Sequence, residues 1–501
     1  MNLLGAMILL PWLGAVAVLV SPRERGAPGR PLALAVMLLE AALSLRLLSA
    51  DYGEPGYRFV ERHVVSEALG LSWAVGVDGL SLWPIIGVSL VMPALAWAPF
   101  DSAGERERLV AGLWLQGAVV GALCAFDLAL FYGFWEMSLL PLLLLARGGG
   151  QAGAETDAGA RRATLGLLAF ALVSSLCLLS AIGLLAAEYR AAADRFSFNL
   201  GELRQLLLPA TTQTGIFLLF VIGLGARLPL WPLHGSWGGA GAALPAGARA
   251  MAVVSGALLG GHGLLRHAMS LCPAGSHRVG ASLAAIAVLG LFYAALAAGG
   301  ARSRRRALSL LSLAPASLFV VGVYSITGAG LAGAVMVLLA GALSLSLWSA
   351  VGEESGGGFL PLLALSPLPG TAGFAGAVMV LSAAMGAEHL GRNGPALVGG
   401  AALGAALLWA AVLRVVVGPT PDAARDGAGT LALRGRLLLS LPAVAVLVLL
   451  GLSSDTALSR IAPAADHFAR VYTAKIKASD AHPEGRGLLE RVVPDADGGA
   501  P

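Results

Sequence analysis

Runs of about twenty apolar residues, each closed by arginine, proline or a glycine cluster, recur along the chain of 501 residues. They lack the alternation of membrane β-strands. The runs predict about fourteen transmembrane spans, near 2–20, 31–49, 79–99, 108–125, 128–146, 163–186, 215–233, 248–270, 280–300, 306–327, 329–350, 359–387, 396–418 and 436–453. In hydrocarbon every backbone N–H and C=O must be satisfied within its own segment, so the spans are helices and the fold class is an all-α polytopic membrane protein. The first run has its arginines after it and no trusted cleavage site behind it, so it reads as a retained helix. Residues 51–77 do not span; the alternation over 57–65 suits a short hairpin or a segment lying on the surface.

Proline placement divides the pattern further. Proline removes an intrahelical hydrogen bond, and within a span the freed carbonyls need a cavity to line. Pro229 and Pro232 interrupt the seventh span, and Pro367 and Pro369, followed by Gly370, interrupt the twelfth. The two broken helices then occupy matching places in two consecutive five-helix sets, the second inverted because five is odd. This is the arrangement of transporters whose interrupted helices flank an ion path; the plainer reading is that the prolines only kink their helices. The expected organisation is residues 1–107 for helices 1–3 and their loop, 108–271 and 280–418 for the two repeats, 436–453 for helix 14, and a polar tail over 454–501.

Composition strengthens the membrane assignment: 57% of residues are hydrophobic and 12% charged, with mean hydropathy +0.80. Loops after odd-numbered spans carry most of the arginines, from Arg23, Arg25 and Arg30 through Arg147, Arg161 and Arg162 to the cluster within 302–306. By the positive-inside rule those loops face the cytoplasm, which puts both termini on the non-cytoplasmic side of a bacterial inner membrane. The net charge of +4 is this topological bias, and no basic stripe interleaved with aromatics argues for nucleic acid. Cys124, Cys177 and Cys272 have no metal spacing and read as small packing residues.

Ionisable residues inside spans are the chemical candidates, because each is costly there unless paired or used. Glu40 has Arg46 six residues on, too far for an ideal helical pair, and is either a packing partner or a functional acid. Glu136 is stronger: aromatics surround it and no cation lies within one turn of it in sequence. Such a carboxyl is expected to hold its proton near neutral pH, as a proton carrier must, with Arg227 at the break of the seventh helix as its partner. The alternative is a buried acid neutralised by a structural arginine.

Four stretches make the chain resemble a known family. They are Leu71-Ser-Trp-Ala-Val-Gly-Val-Asp-Gly-Leu-Ser-Leu before the third span and Asp127-Leu-Ala-Leu-Phe-Tyr-Gly-Phe-Trp-Glu in the fifth. The others are Arg227-Leu-Pro-Leu-Trp-Pro-Leu-His-Gly at the seventh and Leu368-Pro-Gly-Thr-Ala-Gly-Phe-Ala-Gly at the twelfth. In this order they resemble the antiporter-like subunit M (chain 4) of the proton-translocating NADH-quinone oxidoreductase, respiratory complex I, in the superfamily of the large Mrp-type antiporter subunits. The resemblance extends from about Met1 to Tyr472.

The resemblance implies a chain of titratable groups along the membrane midplane, and here the sequence departs from the family. Glu136 matches the family's fifth-span glutamate. Arg227 stands where the family has lysine, Leu258 replaces a second lysine, Ala377 replaces a glutamate, and two histidines fall near Pro315 and Gly341. The family's "LPDAH" is replaced by Trp237-Gly-Gly-Ala-Gly241, although His234 remains. The only lysines of the chain are Lys475 and Lys477, in the tail. A guanidinium keeps the positive charge but does not release its proton usefully, so these replacements remove proton-carrying sites. His262, one turn beyond Leu258 on the same helix face, titrates in a useful range and is a candidate substitute; the plain reading is a histidine packed among glycines.

The resemblance therefore implies a membrane-arm subunit of complex I that moves protons, with proton transfer assigned to Glu136, Arg227, His234 and His262. It binds no cofactor itself: NADH, FMN, iron-sulfur clusters and quinone belong to partner subunits, and the chain's own surroundings are lipid, protons and those subunits. The replacements favour a partly or wholly inactive pump over a full one. A spacer or assembly subunit of the same complex is the rival, and an Mrp-type cation/proton antiporter subunit is disfavoured by the lack of polar groups in the second repeat.

Overall fold

The computed structural model describes residues 2–22, 29–97, 104–147, 154–235, 246–352, 368–417, 430–482, 485 and 487–488. The apolar helices follow the predicted order: α1 (Leu3–Val20), α2 (Gly29–Leu45), α3 (Gly79–Ala96), α4 (Glu105–Cys124), α5 (Leu128–Arg147), α6 (Ala154–Ala193) and α7 (Ala210–Gly225). Next come α8 (Ala246–Gly263), α9 (Pro273–Gly299), α10 (Arg304–Val323), α11 (Gly328–Leu347), α12 (Ala372–Met385), α13 (Gly394–Val417) and α14 (Thr430–Leu452). Among the described residues eleven helices are long and apolar enough to cross a membrane, and a twelfth is counted if α14 and the helix bent away from it form one span. α7 and α12 are shorter apolar helices. These are the two expected to be broken, so the count of fourteen holds only when two half-length helices are included.

The layering inverts what a soluble protein would show. α3 and α11 are buried along their whole lengths and α8 and α10 nearly so, while α1, α2, α5, α6, α9 and α13 surround them with apolar faces left exposed. Between helices in a bilayer the attraction is packing, so small residues matter at crossings. Gly261 sits where an added Cβ would strike Leu338 Cδ2 at 2.1 Å.

Two features lie outside the bundle. β1 (Arg58–Ser66) and β2 (Leu71–Val77) pair antiparallel, the hairpin alternative of the sequence reading. β2 leads into Asp78, whose side chain accepts from the backbone N–H groups of Leu80 and Ser81 and caps α3. Beyond α14 the chain turns by 81° into α15 (Ser454–Ala481). Its apolar positions Ala457, Ile461, Ala464, Ala465, Phe468 and Tyr472 recur at helical spacing and are buried against α3, α9 and α11. The contact is close enough that a Cβ at Gly79 would meet the Arg460 carbonyl oxygen at 1.9 Å. The region expected as a polar tail is thus an amphipathic brace.

Candidate functional site

The break after α7 is built from missing donors and missing side chains. Ala226 still donates to the Ile222 carbonyl, but Pro229 and Pro232 have no N–H with which to resume the helix, and residues 226–234 run on as turns. The Trp231–Pro232 peptide is cis. α8 packs directly on this break because Gly260 has no Cβ; one would lie 2.6 Å from Leu228 Cβ. At the second expected break Pro369 lies in the turn before α12 with Gly370 at φ 91°, whereas Pro367 falls outside the described residues.

The first break sets Arg227, buried, against α5. Its Nη1 donates to Ser138 Oγ at 2.7 Å and to the Trp135 carbonyl at 3.3 Å, and the guanidinium lies 4.5 Å over the Trp135 ring. These partners flank Glu136 in sequence. Glu136 accepts a 2.6 Å hydrogen bond from Ser175 Oγ of α6, and Tyr132, one turn back, is hydrogen-bonded to it as well. Arg227 feels the Glu136 charge, yet among the described residues no ion pair within 4.0 Å joins them. The carboxyl is half-buried rather than sealed. The direct Glu136–Arg227 partnership expected from sequence is corrected accordingly: the arginine is anchored through its own hydrogen bonds, to the residue before the acid and to the second residue after it. The physical reason is reach, since the guanidinium finds nearer acceptors on the α5 backbone and Ser138.

His234 ends the break with its ring 4.9 Å from that of Tyr293 on α9, away from the hydrogen bonds around Glu136. Leu258 and His262 share one face of α8, as their spacing requires, and together line a cavity of about 20 Å³ with Leu80, Phe319 and Leu338. That is room for about one water. His262 Nε2 is buried there without a partner.

α8 then widens into a π-turn over Leu264–Met269, which carries Arg266 and His267 inward. Irregular turns of this kind concentrate at functional sites. Arg266 forms a buried ion pair with Asp78, the residue that caps α3. The sequence motif around Asp78 gives no sign of this partner, because the two residues are 188 positions apart.

The second five-helix set looks different at the corresponding positions. Pro315 on α10 and Gly341 on α11 face each other so closely that a Cβ at Gly341 would lie 2.1 Å from Pro315 Cγ. Ala377 is buried on α12. The α11–α12 crossing is closed by Gly333 and Gly376, each of whose absent Cβ atoms would meet the other's carbonyl oxygen within 2.9 Å. At these crossings a proline ring packs on a glycine and backbone meets backbone. The replacement Trp237-Gly-Gly-Ala-Gly241 lies outside the described residues.

Residues 125–353 match the family described as "NADH:quinone oxidoreductase/Mrp antiporter, TM". NAD(P)H-quinone oxidoreductase chain 4 2 of Thermosynechococcus vestitus is 32% identical over 347 residues, covering 67% of this chain and 62% of that protein. The chain thus spans less than two thirds of the length of such a curated relative. A chain of respiratory complex I from Thermus thermophilus superposes with TM-score 0.77 at 24% identity, covering 94% of this chain and 99% of that one. A chain of the Mrp complex from Dietzia sp. gives 0.73 at 18% identity, over 95% and 100% respectively. These likenesses fix the fold.

Proposed function

We propose that this chain, which matches the NADH:quinone oxidoreductase/Mrp antiporter transmembrane family over residues 125–353, is a membrane-arm subunit of a complex I-like oxidoreductase that moves protons through its first five-helix set. Glu136 is the acid that takes up and releases the proton. Arg227 supplies a fixed positive charge beside it, and one water in the His262 cavity carries the proton past Leu258. His234 is the remaining candidate at the break. The observation that carries this reading is the hydrogen-bonded setting of Glu136 between Ser175 and Tyr132, against a guanidinium anchored at a broken helix. A carboxyl held by neutral donors exchanges its proton more readily than one locked in an ion pair.

In this reading the redox chemistry, with NADH, FMN, iron-sulfur clusters and quinone, belongs to partner subunits. The assembly lies in a bacterial inner membrane with both termini of this chain outside the cytoplasm. A second reading, a spacer that keeps the fold but conducts nothing, is favoured by the Pro315–Gly341 contact in the other set. One experiment separates them. The intact assembly is reconstituted in vesicles, and protons moved per NADH oxidised are compared for the natural chain and Glu136→Gln. A lowered ratio with normal electron transfer supports translocation; an unchanged ratio in a fully assembled complex supports the spacer.

A further inference from the structure

Glu40 lies midway along α2, outside both five-helix sets, and its carboxyl is wholly buried. Its two polar partners come from the next two helices and are equally buried: Ser89 of α3 and Gln116 of α4. Gln116 Nε2 donates to Glu40 Oε2 at 2.6 Å. Ser89 Oγ is 2.9 Å from Glu40 Oε1 and 2.8 Å from the Ile85 carbonyl oxygen. A hydroxyl has one proton, so it serves only one of two acceptors. The contact left over needs a proton from the other side, and the carboxyl is the group that can bring it.

The charge balance points the same way. No ion pair within 4.0 Å to a basic side chain is found for Glu40 among the described residues. Arg46, on the turn that follows α2, is exposed. The Cys124 thiol on α4 is the ionisable group electrostatically coupled to Glu40, and it offers no positive charge. A buried carboxylate held only by a serine and an amide is not repaid for its lost hydration, so neutralisation is the cheaper state.

We propose that Glu40 is a second proton-binding site of this chain, separate from Glu136, and that it holds its proton as a neutral carboxylic acid. Oε1–H donates to Ser89 Oγ, Ser89 O–H donates to the Ile85 carbonyl, and Oε2 accepts from Gln116. Every donor in that sequence then has one acceptor. The bound proton joins α2 to α3 and α4, and losing it would leave a bare charge between three apolar helices.

The test is infrared difference spectroscopy on the purified assembly at pH 7, with Glu40→Gln and Ser89→Ala variants of this chain. Glutamine presents a carbonyl to Gln116 and an N–H to Ser89, so Glu40→Gln is expected to assemble and to melt at an unchanged temperature. The C=O stretch of one protonated carboxylic acid should disappear in Glu40→Gln and shift in Ser89→Ala, where its hydrogen-bond acceptor is gone. Loss of carboxylate bands in place of the acid band, or an acid region identical in all three proteins, overturns the proposal. Failure of the neutral isostere Glu40→Gln to assemble counts against it too, and the Ser89→Ala comparison still decides: an unmoved acid band there excludes Glu40 as the donor.

Discussion

The helices α4–α8 and α9–α13, read from sequence as two five-helix sets, stabilise their buried crossings by opposite means. In the first, buried polar side chains do the joining: Arg227 to Ser138, Ser175 to Glu136, and Arg266 outward to Asp78 on α3. In the second, small residues bring the Gly333 and Gly376 backbones together and let the Pro315 ring pack on Gly341. A polar network can keep a water-sized space because its groups have directed partners; a close-packed crossing leaves no such space. The contrast teaches that the first set keeps a water-sized space beside its polar groups, while the glycine crossings of the second leave none.

The largest expected effect comes from cutting the ion pair that ties the first set to α3. Arg266→Gln leaves Asp78 buried and uncompensated, a change that costs about 3–5 kcal/mol for buried pairs. The assembly should melt well below the natural protein, and the double variant Arg266→Gln with Asp78→Asn should recover part of the loss, because asparagine keeps the cap without the charge. If the double variant melts no higher than the single, the pair is not what holds the π-turn to α3.

Next in size is an attempt to reopen the second set. Gly341→Ala drives a methyl into the Pro315 ring, and overpacking of this kind costs roughly 1–3 kcal/mol. Gly215→Ala on α7, where a Cβ would meet nothing within 4 Å, should change the melting temperature little. Adding Pro315→Ala to Gly341→Ala should restore stability by making room. Equal melting of the two single variants would break the comparison, since it would mean that the second set is no tighter than the first.

How much of this was legible depended on whether a residue announces itself alone. Glu136 and Arg227 stood out because an ionised group has no ordinary place in a span, and the breaks stood out because proline lacks a donor. The resemblance directed attention to Pro315 and Gly341, near which it sets two histidines. That Pro315 and Gly341 touch was not legible, because contact between helices depends on rotation about each axis, which an unbroken apolar run does not encode. Asp78 with Arg266, and Glu40 with Ser89 and Gln116, are pairings across dozens to hundreds of positions, beyond any helical period. α15 was hidden differently: its charged face outweighed the buried stripe in any average over the tail.

A smaller effect tests whether the first set's hydrogen bonds position the acid. Ser175→Ala removes one donor from Glu136 while Tyr132 remains, and a single hydrogen bond contributes about 1 kcal/mol. Melting should fall only slightly. Protons moved per electron should fall more than the stability does, since the carboxyl is then free to swing toward the exposed side of α5. A drop in stability with no change in proton movement would reduce Ser175 to a packing residue.

The smallest effect lies at the edge of the second set, where His389 sits on the turn Glu388–Asn393 between α12 and α13. Its ring is 4.1 Å from that of His277 and stacks at 6.4 Å on Tyr324, and both of its nitrogens are buried without partners. Burial first, and the neighbouring His277 second, push its pKa down from 6.5 to about 4. A histidine depressed in this way binds fewer protons folded than unfolded, so its contribution to stability is complete above the unfolded pKa and is lost as pH falls from about 6.5 toward 4. The residue is only half-buried, so solvent screening keeps the effect modest. Melting temperature measured across that interval should fall less steeply in His389→Phe than in the natural chain. Parallel curves would assign the acid sensitivity to His277 or to groups outside this turn. A curve that rises as the pH falls would mean that His389 gains a carboxylate partner in the assembled complex, and the second set would then hold a titratable site at its rim, though none at its centre.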